Sequence, residues 1–323
     1  MEDKQKKVFE QYEFDVKSRY RTRGAWVLDT NLGVKLLREY EQISRHFYLE
    51  NRIKDHLKKR GMNHLDFVVP NREGEPITEI ENSGKYVITD WFYGEECDLK
   101  NQAGLFLASK NLASIHRCLE DFAGTEEETK DEDSSERFIR HNREMKRIYT
   151  YMRNKKRKNE FEIFAMDCFH YFYEQGCEAE ELLYHSPYNR RAGIGDVCHG
   201  EYNHHNVIFS GDIVATCNFE KAFFAPVLMD LCYFLRKSME KNNWDVSKGR
   251  SILEGYQSER KLSEEDIEFV YIQLLFPEKF WKLMNQYFNR KKSWMSQRNM
   301  EKLIGVKEQY ESRKAFLDYL KTF

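Results

Sequence analysis

One stretch, from Cys198 to Lys237, leaves this chain few folds to choose from. It reads CHGEYNHHNVIF, then SGDIVATCNFEKAFF, then APVLMDLCYFLRK. A short apolar run, Val207-Ile208-Phe209, meets a Gly211-Asp212 turn and a second run from Ile213 to Ala215. Two short strands around a Gly-Asp turn predict a β-hairpin, which would bring the polar residues at its two ends together. Those ends are His199-Gly200-Glu201 with Asn206, and Asn218-Phe219-Glu220. A base at the start of a loop, an amide five residues on and a metal-binding group after the hairpin form the layout of a phosphotransfer site. Here the base position holds Glu201 and the metal position holds the amide Asn218.

The segments before this stretch read as a small sheet. Strands are predicted at 14–23, 26–30 and 34–37, the last two joined by a turn at 31–33, with two more at 65–69 and 86–92. In the first strand Arg19, Arg21 and Arg23 share a face by alternation. That face is a solvated edge, or alternatively a basic lip over phosphates. Gly24 stands alone, so no glycine-rich phosphate cradle is predicted. Residues 44–60 read as a helix ended by Gly61, with Ile43, Phe47, Ile53 and Leu57 on its apolar stripe. Glu50 falls on the same stripe. A carboxylate on a buried face needs a cation, and Lys35, inside the preceding strand, is the expected partner. Such a strand-lysine to helix-glutamate pair positions nucleotide phosphates in kinase folds. The opposing possibility is two separate exposed charges.

After a hinge at 92–96 the chain turns helical. Leu105, Ala108, Leu112, Ile115 and Leu119 recur at helical spacing, and His116 beside them reads as a packed, hydrogen-bonded histidine. Residues 124–136 are an acidic low-complexity insert, predicted to be a loop outside the cleft. The basic run at 143–158 reads as a solvated helix face that balances it. Helices are predicted at 160–183 and 227–240. Asp230, near the start of the second, suits the helix dipole and is placed to brace the loop at 199–206. Residues 249–323 read as mostly helical, with the aromatics Trp281, Tyr287, Phe288 and Trp294 as core. The fold expected is α+β and two-lobed. A small antiparallel sheet with one helix occupies 1–93, and a larger, mainly helical lobe occupies 94–323 with the catalytic-type loop at 198–220.

Bulk properties exclude several classes. The formal net charge of -2 gives no reason to expect nucleic-acid binding. No apolar run approaches the roughly 18 residues of a membrane helix, and no signal peptide is visible in MEDKQKKVFEQ. The seven cysteines form no C-x-x-C pair and are odd in number, which favours reduced thiols over disulfides or a zinc site.

The sequence also resembles a known family. HGEYNHHN, NFEKAFFAPVLMDLCYFLRK and LFPEKFWKL are similar to the spore coat protein S (CotS) family of endospore-forming bacteria, itself part of the aminoglycoside and choline kinase-like phosphotransferases. The resemblance spans nearly the whole chain. The histidine-glycine-acid loop with its asparagine is shared across the superfamily; the FPEKFW run and the LRK after Asp230 point to the spore-coat branch. It implies that Lys35 and Glu50 are the nucleotide-positioning pair, Glu201 stands at the catalytic base, and Asn206 and Asn218 stand at the metal, with Glu220 as the alternative carboxylate. His199 and Asp230 would support the loop. ATP and Mg²⁺ are the implied cofactors, bound weakly or not at all, because Glu201 and Asn218 both replace aspartates. Two functions follow as expectations. One is a degenerate phosphotransferase with a structural or assembly role among other spore coat proteins, in the mother-cell cytoplasm or the coat. The alternative is an active ATP/Mg-dependent phosphotransferase acting on a small hydroxyl acceptor.

Overall fold

The computed structural model describes residues 2–22, 24–81, 84–125, 134–190, 196–289 and 297–323. The first lobe begins with a helix the sequence did not signal, α1 (Glu2–Phe9). Strands β1 (Val16–Thr22), β2 (Ala25–Thr30) and β3 (Gly33–Tyr40) follow, then α2 (Arg45–Lys59), β4 (Thr78–Ile80) and β5 (Gly84–Asp90). They form one sheet in the order β1-β2-β3-β5-β4, with every neighbouring pair antiparallel. Alternation gives the sheet two apolar faces. Leu28, Leu37, Tyr86 and Ile88 pack with Val8, Tyr12 and Phe14 on the α1 side. Ala25, Val27, Val34 and Leu36 line the other side, against Trp91. Residues 65–69 do not form the expected strand. They make single bridges, Leu65 to Thr216 and Val68 to Thr89, and so link the sheet to the later hairpin.

The remaining elements are β6 (Glu95–Glu96), α3 (Gln102–Cys118), α4 (Ser134–Asn154), α5 (Glu160–His185), β7 (Val197–Cys198), β8 (Val207–Ser210), β9 (Ile213–Thr216), β10 (Phe223–Phe224), α6 (Leu228–Lys241), α7 (Val246–Gln257), α8 (Glu264–Leu275), α9 (Glu278–Asn289), α10 (Gln297–Glu308) and α11 (Tyr310–Leu320). The predicted hairpin is present as β8 and β9, extended by β6, and β7 pairs with β10. Capping explains several helix starts. Asn101 accepts from Ala103 and Gly104 at α3, and capping boxes open α5 (Asn159 with Glu162) and α8 (Ser263 with Asp266). The core runs from α2 through α3 to α11. Helix α7 lies hard against α3 because residue 255 is glycine: a Cβ there would sit 2.3 Å from the Phe106 carbonyl oxygen. Trp281 of α9 donates its Nε1–H to Glu144 Oε2 at 2.8 Å and stacks on His141 of α4 at 3.4 Å. Trp281, Tyr287 and Phe288 are half-buried against the core, while Trp294 lies outside the described residues. Of the acidic insert, residues 126–133 lie outside the described residues, and 134–136 already belong to α4. Among the described residues no helix is long and apolar enough to cross a membrane, and all seven cysteines are free.

Besides the strand expected at 65–69, one sequence expectation is corrected in the first lobe, the Lys35–Glu50 pair, and the alternative of a basic lip is not met. Lys35 and Glu50 do not pair. Lys35 Nζ meets Asp90 Oδ1 at 2.6 Å, directly across the β3–β5 ladder. It shares a face with Leu37, on the α1 side, because strand side chains alternate. Glu50 is buried on α2 as its stripe predicts, but its cation comes from one turn along the same helix: Lys54 Nζ lies 2.6 Å from Glu50 Oε1. The same ammonium reaches Asp66 Oδ1 at 2.7 Å and the Asp66 carbonyl at 2.9 Å. Burial opposes the charge of Lys54, yet Asp66 and Glu50 outweigh it and hold the ammonium protonated above its ordinary range. The basic lip over phosphates is also not formed. Arg19 stacks over Phe9 and Trp26, on the α1 side of the edge strand, and Arg23 lies outside the described residues.

Two stability predictions follow. Lys54→Met leaves Glu50 and Asp66 buried without their cation and should destabilise the chain by about 3–5 kcal/mol. Lys35→Met removes a pair whose carboxylate, Asp90, is 37% exposed and can be hydrated once alone, and should cost less than about 1 kcal/mol. Equal losses in urea unfolding would contradict the assignment of the buried ion cluster. The second concerns pH. Burial between Phe276 and Trp281 pushes the His141 imidazole down to about 4. Between the unfolded value of about 6.5 and that point, only the unfolded chain takes up the proton. Stability is therefore full above pH 6.5 and falls as pH drops toward 4. His141→Phe should flatten that part of the profile relative to the unmodified chain; parallel profiles would refute it.

Candidate active site

The loop from His199 to Asn206 is fixed from beneath by Asp230, in the first turn of α6. Asp230 accepts the backbone N–H of His199 at 2.5 Å and of Gly200 at 2.9 Å, and faces His116 Nε2 at 3.2 Å. His116, on α3, is held in turn by the Tyr256 hydroxyl of α7 at 2.8 Å, so it is a packed, bonded histidine. Gly200 has φ +84°, and a Cβ there would fall 1.9 Å from the Lys221 carbonyl oxygen. Only glycine fits both the backbone and the gap. His199 is fully buried. Its Nε2 donates to the Cys217 carbonyl at 3.1 Å and its Nδ1 accepts from the Glu201 N–H at 3.2 Å. Those two bonds define a neutral tautomer, and burial keeps it neutral by lowering its pKa. His199 thus supports the loop and does not face a reactant.

The hairpin does what its sequence predicts. Cys217 N–H donates to the Asn206 carbonyl at 3.0 Å, which sets Asn206 beside the Cys217-Asn218 turn. The Asn206 Nδ2 donates to the Glu201 carbonyl at 2.9 Å, leaving its Oδ1 as the group able to meet a cation. Glu201 is half-buried, and burial together with its charge raises the pKa of the Tyr233 hydroxyl of α6. Asn218 adopts a left-handed conformation, φ 69° and ψ 64°. Asparagine tolerates this better than most residues. Its backbone N–H donates to Asp66 Oδ2 at 3.1 Å, which joins the turn to the Lys54 cluster. The chain then enters a 3₁₀ turn at Phe219–Lys221 and is not extended, so Glu220 does not share the facing of Asn218. Glu220 is exposed, and its charge is felt by Tyr40 at the end of β3.

Sequence reasoning missed the cation that β3 does present to this side. Arg38 shares its face with Val34 and Leu36. Burial works against its charge, and Tyr40, Asp66 and Glu50 together hold the guanidinium above its ordinary value. Asp66, in an apolar LDFVV run, gave no local signal. Lys54 gave one, its i,i+4 spacing from Glu50. Trp91 was also missed as a site residue. Its side chain packs against the cluster of Ala25, Val27, Val34 and Leu36 of the sheet and that of Ile208, Ala215 and Cys217 of the hairpin, and so bridges the two.

The donor set is a poor fit for Mg²⁺. That ion is held through oxygen, usually with one or two carboxylates. The hairpin ends offer the amides of Asn206 and Asn218. Among the described residues no group of three histidine, cysteine, aspartate or glutamate side chains converges as a metal site.

Comparison with solved structures identifies the architecture. An aminoglycoside phosphotransferase from Alicyclobacillus acidocaldarius superposes with a TM-score of 0.88 at 18% identity, over 98% of this chain and 95% of that chain. A spectinomycin phosphotransferase, solved with ADP and spectinomycin, gives 0.66 at 12% identity over 98% of both chains. A choline kinase from Cryptosporidium parvum gives 0.52 at 11% identity, over 100% of this chain and 99% of that one. At these identities the likeness is one of fold, a two-lobed protein-kinase-like arrangement. A family profile described as "Spore coat putative kinase YutH" matches residues 5–320. The spore-coat branch expected from the LFPEKFW run is thereby reached. The chain belongs to the family described as spore coat putative kinase YutH, and it has the fold of the aminoglycoside and choline kinase structures.

Proposed function

We propose that the chain is a kinase-fold protein of the endospore coat whose phosphotransfer chemistry has decayed and whose role is structural, in assembly with other coat proteins. The observation that carries this reading is Asn218. It places a neutral amide where the phosphotransfer layout needs a metal-binding carboxylate, and its backbone is tied to Asp66. Glu220 does not take its place, because it lies in a 3₁₀ turn and not on an extended strand that would give it the facing of Asn218. Glu201 adds a methylene at the base position, and a displacement of ~1 Å at a reacting centre can cost ~100-fold in rate. Trp91 bridges the apolar clusters of the sheet and the hairpin, so a purine entering between them has to share or displace its indole. Nucleotide binding is accordingly weak. The protein resides in the mother-cell cytoplasm or the coat layer.

A second reading, an active phosphotransferase for a small hydroxyl acceptor, has one observation in its favour. The loop itself is intact: Asp230 holds it, and Asn206 holds Glu201. Turnover separates the two. The unmodified chain with Mg²⁺, ATP and panels of aminoglycosides, choline and simple sugars should transfer phosphate far below the ordinary kinase range of ~1–100 per second. The double variant Glu201→Asp with Asn218→Asp should gain Mg²⁺-dependent nucleotide binding and slow ATP hydrolysis. Turnover by the unmodified chain within the ordinary range would overturn the proposal and make Glu201 and Glu220 the next residues to replace.

A further inference from the structure

Beside the loop, in the helical lobe, lies a cavity of about 210 Å³. Gly200 and Tyr233 form the wall nearest Glu201, and Arg137 of α4, Arg236 of α6, Gln273 of α8 and Lys282 of α9 line the rest. The lining is rich in positive charge. Its carboxylates are already committed. Asp230 is taken by two backbone N–H groups, and Glu278 pairs with Lys282 at 3.0 Å. Arg236 pairs with Glu240 at 3.1 Å, a carboxylate that also faces Lys279 at 3.6 Å. Arg137 has no carboxylate within ion-pair distance among the described residues; its Nη2 donates to the Gln273 amide oxygen at 2.7 Å. That bond fixes the Gln273 amide orientation, since a flip would set donor against donor. It leaves two buried donors, Arg137 Nε and Gln273 Nε2, without an acceptor among the described residues. Buried donors are normally satisfied. Burial, together with the like charge of Arg236, depresses the pKa of both Arg137 and the neighbouring Lys237.

We propose that this cavity binds a small oxyanion-bearing molecule, a carboxylate or a phosphate monoester, against the Gly200–Glu201 loop. One guanidinium without a carboxylate partner, two cations already in ion pairs and two buried donors without an acceptor are the chemistry of oxyanion recognition, in which a planar guanidinium is the strongest element. The assignment goes beyond the function proposed above and does not depend on phosphate being moved.

The test is isothermal titration of the full chain, at low ionic strength and without nucleotide or metal. The probes are glycerol 3-phosphate, glycerate, glycerol and choline. At least one of the two anions should bind with a Kd of about 1 mM or tighter, glycerol should bind at least about tenfold more weakly, and choline should give no heat. Whichever anion binds names the headgroup. Arg137→Gln and Lys282→Gln should each weaken that binding by about tenfold, and 0.5 M salt should weaken it further. Lys282 is half-exposed, so its variant retains the fold if Arg137→Gln does not. No anion binding below about 10 mM, equal binding by the Lys282→Gln variant, or a preference for choline or glycerol would each overturn the assignment. Because nucleotide is absent, failure here leaves the decayed-chemistry reading untouched, and ATP turnover leaves this assignment untouched.

Discussion

The buried ammonium of Lys54 lies at a joint between the two lobes. It sits between Glu50 one helical turn earlier and Asp66 in the segment that leaves α2. Through Asp66 it reaches the backbone of Asn218 in the other lobe, and its charge lies 6.0 Å from the Phe219 ring. Two acids and one lysine out of water would be costly in any other arrangement, because each lone buried charge loses its hydration. Together they are partly compensated, with Arg38 adding a second positive field from β3. The turn that would carry the metal carboxylate in a working phosphotransferase is here fastened by its main chain to a structural ion cluster.

Asp230 makes the corresponding anchor in the helical lobe. It holds the N–H groups at the start of the Glu201 loop, and His116 and Tyr256 fix it from α3 and α7. The site is therefore well supported in its architecture and altered in two of the side chains that do chemistry. On the proposed reading that division follows from burial: the supports Asp230, His116 and Tyr256 are also core packing, while Glu201 and Asn218 are only partly buried.

Much of this was legible in the sequence, and the exceptions have specific causes. The hairpin and its flanking polar residues were readable because the Gly-Asp turn fixes the register. The burial of Glu50 was readable because helical spacing is unambiguous over four turns. The lysine partner was not. Strand β3 buries Leu36 and Leu37 equally, so its two faces look alike in sequence and alternation alone does not say whether Lys35 or Arg38 faces α2. Helix α1 escaped notice because its core contribution rests on few apolar side chains, chiefly Val8 in a charged segment. Residues 65–69 have strand composition but run between two sheets and pair with each only once. The cavity gave no signal because its lining comes from four helices far apart in the chain.

The metal dependence of nucleotide binding tests the central claim most directly. A fluorescent ATP analogue titrated into the unmodified chain with and without Mg²⁺ reads the Asn218 position without requiring any acceptor. If the amide cannot replace a carboxylate, affinity should be weak and should change by less than about threefold when Mg²⁺ is added. A tightening of about 100-fold or more with Mg²⁺ would show a working metal site at the end of the hairpin and contradict the account.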